Sequence, residues 1–210
     1  MASEIDICNL ALAHLGDTAT IASLSPPEGS AQAEHCARFY PVARDSLLEM
    51  HPWGFATRRV QLALLTSGWP EWAYAYAQPA DALNVIAILP PESTDDYSTG
   101  VPDSAGGSYV PQPFSCEIND SGAPVIYTDQ ADAVLRYSAT VTDPTRFSPL
   151  FVMALSWHLA SMLAGPIIKG DAGAAEAKRC AGMMQAYLSK AVESDSSQRR
   201  VRPEHVVGWM

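Results

Sequence analysis

The stretch between residues 146 and 169 contains no Asp, Glu, Lys or Arg. Its run LFVMALSWHLASMLAGPIIK has nearly the length that a helix needs to span a membrane. However, Ser156, His158 and Ser161 lie in its middle, Gly165-Pro166 interrupts it near its end, and no cluster of basic residues flanks it. We therefore expect a helix that is buried on several sides or faces another subunit, and membrane insertion is the alternative.

The acidic net charge argues against a protein that binds nucleic acid tightly. The chain has 210 residues and a formal net charge of −10, and 48% of its residues are hydrophobic while 17% are charged. Affinity for duplex DNA comes largely from Lys and Arg that displace counterions. An acidic surface suits a wall that faces DNA without holding it, although solubility alone also explains it. The composition supports a packed core in one domain with a sizeable insertion.

Cysteine spacing and the N-terminus indicate a reducing compartment. The four cysteines lie far apart and form no C-x-x-C pair, so we expect no disulfide framework. The first residues, MASEIDICNLALAHLG, have acids where a signal peptide needs a basic region.

Periodicity predicts helices at both ends of the chain and strands between them. An i, i+3, i+4 apolar pattern with Ser3 as N-cap and Gly16 as stop predicts the first helix, and Pro41 predicts a kink in the second. The predicted helices span 3–15, 30–51, 146–164 and 172–193. Short aliphatic and aromatic runs separated by Gly, Pro and Asp predict a β insertion at about 56–142, with a long loop over 90–113. The predicted fold class is α+β: a bundle of N- and C-terminal helices in a single domain, 1–195, with an inserted small antiparallel β lobe.

The search for catalytic or metal-binding motifs yields no strong candidate. Cys8, Cys36, His14 and His35 could be imagined as a zinc site, but their spacing matches no zinc pattern. His158 is expected to be a core histidine with one hydrogen bond. The acids of the long loop lack the EF-hand spacing and are expected to be solvated; they are Glu92, Asp95, Asp96 and Asp103. We predict no catalytic residues, no cofactor and no bound metal.

The C-terminal tail, 196–210, is the predicted partner-binding segment. It begins as a polar linker, continues with a basic cluster and ends in apolar residues, and apolar groups on a polar tether usually need a partner surface. The predicted contact residues are Arg199, Arg200, Arg202, Val206, Val207, Trp209 and Met210.

Three motifs in the first ninety residues carry a resemblance to a known family. In order, they are Leu15-Gly16-Asp17, the segment RDSLLEMHPWGFA at Arg44–Ala56, and the segment WAYAYAQPAD at Trp72–Asp81. This order resembles the tail tubular protein A family of phage adaptors, the head-to-tail connectors of short-tailed phages of the T7 type. The resemblance weakens through the C-terminal helices and is least evident in the last dozen or so residues.

The resemblance implies a non-enzymatic protein that assembles into a twelve-subunit ring in the neck of the virion, after synthesis in the host cytoplasm. One side of such a ring docks under the portal protein, the other receives the nozzle or tail tube, and DNA passes through the lumen without specific binding. In that setting the C-terminal tail is expected to clamp the portal. The alternatives are another neck component, such as a stopper or tail-completion protein, and a metal-dependent hydrolase.

Overall fold

The computed structural model describes residues 2–66, 69–91 and 112–198. The predicted α+β fold class is confirmed, with N- and C-terminal helices flanking a region of antiparallel sheet. The described chain divides into two compact units. A helical unit holds residues 2–55 and 141–198, and a β unit holds residues from 56 to 140. The domain predicted for 1–195 contains both units, and the predicted β insertion at about 56–142 covers nearly the same residues as the β unit.

Helix α1 spans Glu4–His14. The Ser3 hydroxyl accepts the amide of Asp6, and the Asp6 carboxylate in turn accepts the amide of Ser3, which completes a capping box. Gly16 follows the helix with φ +75°, a left-handed conformation that glycine adopts without steric cost. The capping box at one end and Gly16 at the other thus set the start and stop of α1 within one residue of the predicted bounds.

Helix α2 spans Ala31–Glu49 and is capped by Ser30, whose hydroxyl accepts the amide of Ala33. Pro41 lies inside the helix and is exposed. The missing backbone donor therefore occurs on the solvent side, where water can bind the carbonyl that it leaves unpaired.

Helix α3 differs from its predicted bounds of 146–164. It spans Pro149–Ile168 with Ser148 as N-cap, because a short 3-10 turn at Pro144–Arg146 comes first. At its other end, α3 continues through Gly165-Pro166. Proline removes only one backbone donor there, and the helix ends where Lys169 takes φ +62°.

Helix α4 spans Gly170–Ser197, longer at both ends than the predicted 172–193, and it includes the first residues of the predicted tail. Residues 199–210, which hold every predicted partner-contact residue, lie outside the described residues, as does most of the predicted 90–113 loop.

Helix α3 contacts each of the other three helices. This position explains a helix that is apolar nearly all round, since several of its sides lie against protein. Among the described residues it is also the one helix that is long and apolar enough to cross a membrane by length and composition, and 50% of its most apolar window is buried in the structure.

The described residues of the β unit form two antiparallel sheets. A three-stranded sheet has the order β1-β7-β4, and a four-stranded sheet has the order β2-β3-β6-β5. The strands are β1 Thr57–Gln61, β2 Leu64–Leu65, β3 Tyr74–Ala77, β4 Ala82–Leu89, β5 Phe114–Ile118, β6 Pro124–Thr128 and β7 Val134–Ala139. The sheets share a core, in which Tyr76 and Ile126 of the larger sheet join Ile88, Leu135 and Tyr137 of the smaller one.

Candidate functional site

The C-terminal end of α4 is the described part of the molecule closest in sequence to the predicted partner-binding tail. Asp195 lies in its last turn, and both carboxylate oxygens are 3.1 Å from the amide nitrogen of Gly54. Nε2 of His51 is 3.2 Å from Oδ2 of the same carboxylate. The side chains of His51 and Asp195 are each 17% exposed, so this contact is largely shielded from solvent. It ties the end of α4 to the turn that follows α2.

That turn is shaped by the sequence His51-Pro52-Trp53-Gly54. The Trp53 amide donates to the carbonyl of His51 at 2.8 Å, and its indole Nε1 donates to the carbonyl of Leu47 at 2.9 Å. A Cβ atom at Gly54 would lie 3.3 Å from Oδ1 of Asp195, so a larger residue would crowd the carboxylate. The buried indole therefore holds the turn, and Gly54 leaves room for Asp195.

Replacing Asp195 with alanine is expected to destabilise the helical unit by about 0.5–1.5 kcal/mol, because the exposed Gly54 amide loses its protein acceptor and His51 loses its partner. Denaturant unfolding measures this loss, and hydrogen exchange should show faster exchange at the Gly54 amide. Asp195→Asn keeps an acceptor and should recover part of the loss. The matched control is Glu193→Ala, an exposed acid in the same turn, which should change stability by no more than about 0.5 kcal/mol. Equal effects at both positions would contradict the anchoring role.

A second polar cluster joins α1, α3 and α4. The His14 ring stacks on Trp157 with centroids 3.5 Å apart and an interplanar angle of 5°. Arg179 donates through Nη2 to the carbonyl of His14 at 3.1 Å, and its guanidinium lies 5.2 Å from the Trp157 ring centroid. Arg179 also pairs with Glu176 one turn earlier in α4. This cluster closes the end of α1 against the two C-terminal helices.

Two histidines share one arrangement. Nε2 of His14 lies 3.1 Å from the Ser156 hydroxyl, and Nε2 of His158 lies 2.9 Å from the Ser46 hydroxyl. Each serine donates its own proton to the backbone carbonyl three residues earlier, at Met153 or Ala43, so each imidazole must be the donor. Burial lowers the pKa of His14, with a further contribution from Arg179, and burial lowers the pKa of His158. Both rings are thus neutral packing groups at pH 7, and His158 has the one hydrogen bond expected of it.

The residues of the imagined zinc site are only partly brought together. The buried thiols of Cys8 and Cys36 share a hydrogen bond, which together with burial raises the pKa of Cys8. His14 instead contacts Ser156 and Trp157, and His35 stacks on Phe39. Within residues 2–66, 69–91 and 112–198, no group of three or more His, Cys, Asp or Glu side chains could hold a metal ion. The four loop acids lie outside those ranges.

In the β unit, the third motif ends at a polar junction. The Asp81 carboxylate accepts from Nη1 of Arg58 at 2.6 Å and from the hydroxyl of Tyr137 at 3.0 Å. Arg58, the first of two adjacent arginines, is therefore engaged within its own unit. In comparisons with known protein families and with curated proteins, nothing matches this chain.

Proposed function

We propose that this chain is a structural head-to-tail adaptor of a tailed bacteriophage. Copies of it form a ring, of twelve subunits by the family resemblance, between the portal and the tail or nozzle in the virion neck. DNA passes through the lumen of that ring, and the protein performs no catalysis.

The observation that carries this proposal is the structural role of the three motifs behind the resemblance. In the first motif, the amide of Asp17 donates to the carbonyl of Leu12, and its carboxylate accepts from the Ala19 amide and from the side chain of Gln32. In the second, Trp53 is fully buried and holds the turn after α2. In the third, Asp81 joins Arg58 to Tyr137. Each motif thus contains residues that hold a turn or join two elements. This supports a fold shared with the family as the reason for the order of the motifs.

Exposed apolar side chains on both units support an assembling protein. Val42 and Met50 are exposed on the helical unit, and Leu64, Trp69 and Ile118 are exposed on the β unit. A ring subunit needs two different contact faces for its neighbours, in addition to the surfaces that meet the portal and the tail. The formal net charge of −10 is also compatible with a lumen that DNA must traverse without adhering.

The direct test combines the protein with its portal ring and measures the mass of the product by size-exclusion chromatography with light scattering, followed by negative-stain imaging. The expected result is a monomer or small oligomer alone and a ring-sized layer on the portal. If the full chain ignores the portal, the adaptor proposal is wrong. Stoichiometric zinc in the purified protein would instead support the hydrolase alternative.

A truncated chain that lacks residues 199–210 tests the predicted clamp. The variant keeps Asp195 and the whole of α4, so the helical unit should stay folded. We expect its portal affinity to fall by about thirtyfold or more, since loss of one buried aromatic anchor typically costs 2 kcal/mol or more. Trp209→Ala and a triple Arg199, Arg200 and Arg202 to Ala variant separate the apolar contribution from the charged one. Equal affinity of the truncated and full-length chains would discard the clamp while leaving the ring intact.

A further inference from the structure

Strand β5, Phe114–Ile118, is an edge strand with an apolar face. In the four-stranded sheet it pairs with β6, and no other described strand pairs with it. Its side chains alternate, with Phe114, Cys116 and Ile118 on one face and Ser115 and Glu117 on the other. Phe114 is 36% exposed and Ile118 is 74% exposed.

Alternate residues of β5 form backbone hydrogen bonds to β6, and the backbone groups of the residues between them point away from the sheet. The Asn119 amide donates to the carbonyl of Ala123 directly opposite, and the register is regular through Ser115 opposite Tyr127. Hydrogen-bonded pairs alternate along an antiparallel ladder, so Ser115 and Glu117 bond to β6. The amides and carbonyls of Phe114, Cys116 and Ile118 therefore point outward.

The other exposed edges of the β unit are better protected against pairing. Strand β1 carries Arg58 and Arg59 among its five residues, β2 has only two residues, and the ladder of β4 is broken by two register shifts. Charged side chains, short length and irregularities such as bulges are the usual means by which proteins prevent edge strands from pairing. In β5 the single charge, Glu117, lies on the face opposite the apolar side chains.

We propose that β5 pairs antiparallel with β5 of a second copy of this chain, about a twofold axis at Cys116. Outward-pointing residues must lie opposite one another in an antiparallel ladder, and centring the axis on Cys116 satisfies this rule. Phe114 of each copy then lies opposite Ile118 of the other, and the two Cys116 residues face each other. The apolar faces of both strands join into one continuous surface.

The polar side chains of β5 are compatible with this register. Glu117 lies opposite Ser115 of the second copy, so no two carboxylates stand directly across from each other, which would be destabilising. Within each copy the Ser115 hydroxyl already donates to the Glu117 carboxylate at 2.7 Å. The β5 strand of a second copy can therefore extend the sheet without placing two carboxylates directly opposite each other.

This contact is distinct from the proposed ring and does not depend on it. A twofold contact uses the same patch on both subunits and closes on itself, whereas a simple ring requires head-to-tail contacts between two different patches. The β5 pair is therefore a dimer of the free protein.

The test uses the full chain at increasing concentration, with light scattering for mass and hydrogen exchange for the edge amides. We expect a concentration-dependent dimer in which the amides of Phe114, Cys116 and Ile118 gain protection as the dimer forms. Mild oxidation should link the two Cys116 thiols, because the Cα atoms of a hydrogen-bonded antiparallel pair lie about 5.5 Å apart, within the range of a disulfide. Cys116→Ser should abolish the cross-link and keep the dimer.

Ile118→Lys and its matched control distinguish β5 from apolar surface in general. Ile118→Lys should weaken the dimer at least about tenfold, since each dimer loses two cross-strand contacts between Ile118 and Phe114. Leu64→Lys, at a β2 position that is 63% exposed, should leave the dimer unchanged. A chain that stays monomeric at all concentrations overturns the proposal. Two other results also overturn it. One is protection of the edge amides that does not depend on concentration, which would mean that the chain covers its own edge. The other is a dimer that both lysine variants weaken equally. A portal-binding result does not affect any of these outcomes.

Discussion

Replacing Trp53 with alanine is expected to destabilise the helical unit by about 3–5 kcal/mol, the typical cost of removing a large aromatic side chain from a core. Trp53 is 0% exposed, and its ring meets Phe151 edge-on at a centroid distance of 5.0 Å and Phe55 at 5.9 Å. The substitution opens a cavity among these rings and removes the indole hydrogen bond to the Leu47 carbonyl. It also loosens the turn that places the Gly54 amide against Asp195.

Denaturant unfolding followed by far-UV circular dichroism measures this loss, and Trp69→Ala is the matched control. Trp69 is 55% exposed, so its replacement leaves no comparable cavity and should cost far less. Because each variant removes a tryptophan and so changes the fluorescence directly, the far-UV circular dichroism of the helices is the appropriate probe. A loss of similar size at both positions would show that Trp53 is not the centre of this core.

A helix boundary can be predicted from the sequence where a side chain bonds to backbone only a few residues away. Ser3 and Asp6 form their capping box within one turn, and the Ser30 hydroxyl accepts the amide of Ala33 at the start of α2. Such interactions depend on residues only three positions apart, so they are visible in the sequence.

The end of α3 could not be predicted by the same reasoning. Gly165-Pro166 predicts a stop, yet the helix continues to Ile168. Packing against α4 outweighs the cost of a proline in the last turn, and that packing depends on contacts with a later helix. Tertiary contacts therefore moved a boundary that local preference placed earlier.

The division of the strands into two sheets was likewise hidden from the sequence. Strand β1 pairs with β7, more than seventy positions later, and β4 pairs on the other side of β7. Alternation predicts which residues form strands, but it does not specify partners so distant along the chain.

The contact at the end of α4 is the part of the candidate site that sequence reasoning missed. Asp195 and Gly54 lie 141 positions apart, and neither belongs to a recognisable motif with the other. In the sequence, His51-Pro52-Trp53-Gly54 stands out only as part of the second motif. From the sequence alone, an acid in a polar segment such as ESDSS is expected to be solvated. Only the fold shows that the backbone amide of Gly54 lies against Asp195.

The close approach of α3 and α4 depends on Gly173. A Cβ atom there would lie 3.0 Å from the backbone carbonyl oxygen of Ala164 and 3.5 Å from the Cα of Gly165. The neighbouring atoms belong to backbone in another helix and cannot move aside as the tip of a flexible side chain could. Gly173 is buried, whereas a Cβ at Gly182 in the same helix would meet nothing within 4 Å.

The same substitution at these two glycines should therefore have opposite effects. Gly182→Ala is expected to stabilise the helical unit by about 0.5–1 kcal/mol, because alanine favours the helix over glycine. Gly173→Ala is expected to destabilise it, and Gly173→Val should cost about 3 kcal/mol through overpacking against α3. Unfolding free energies of the three variants measure the difference. If Gly173→Ala stabilised the protein as much as Gly182→Ala, the two helices would have to lie farther apart than the structure places them, and helix propensity alone would determine the stability of α4.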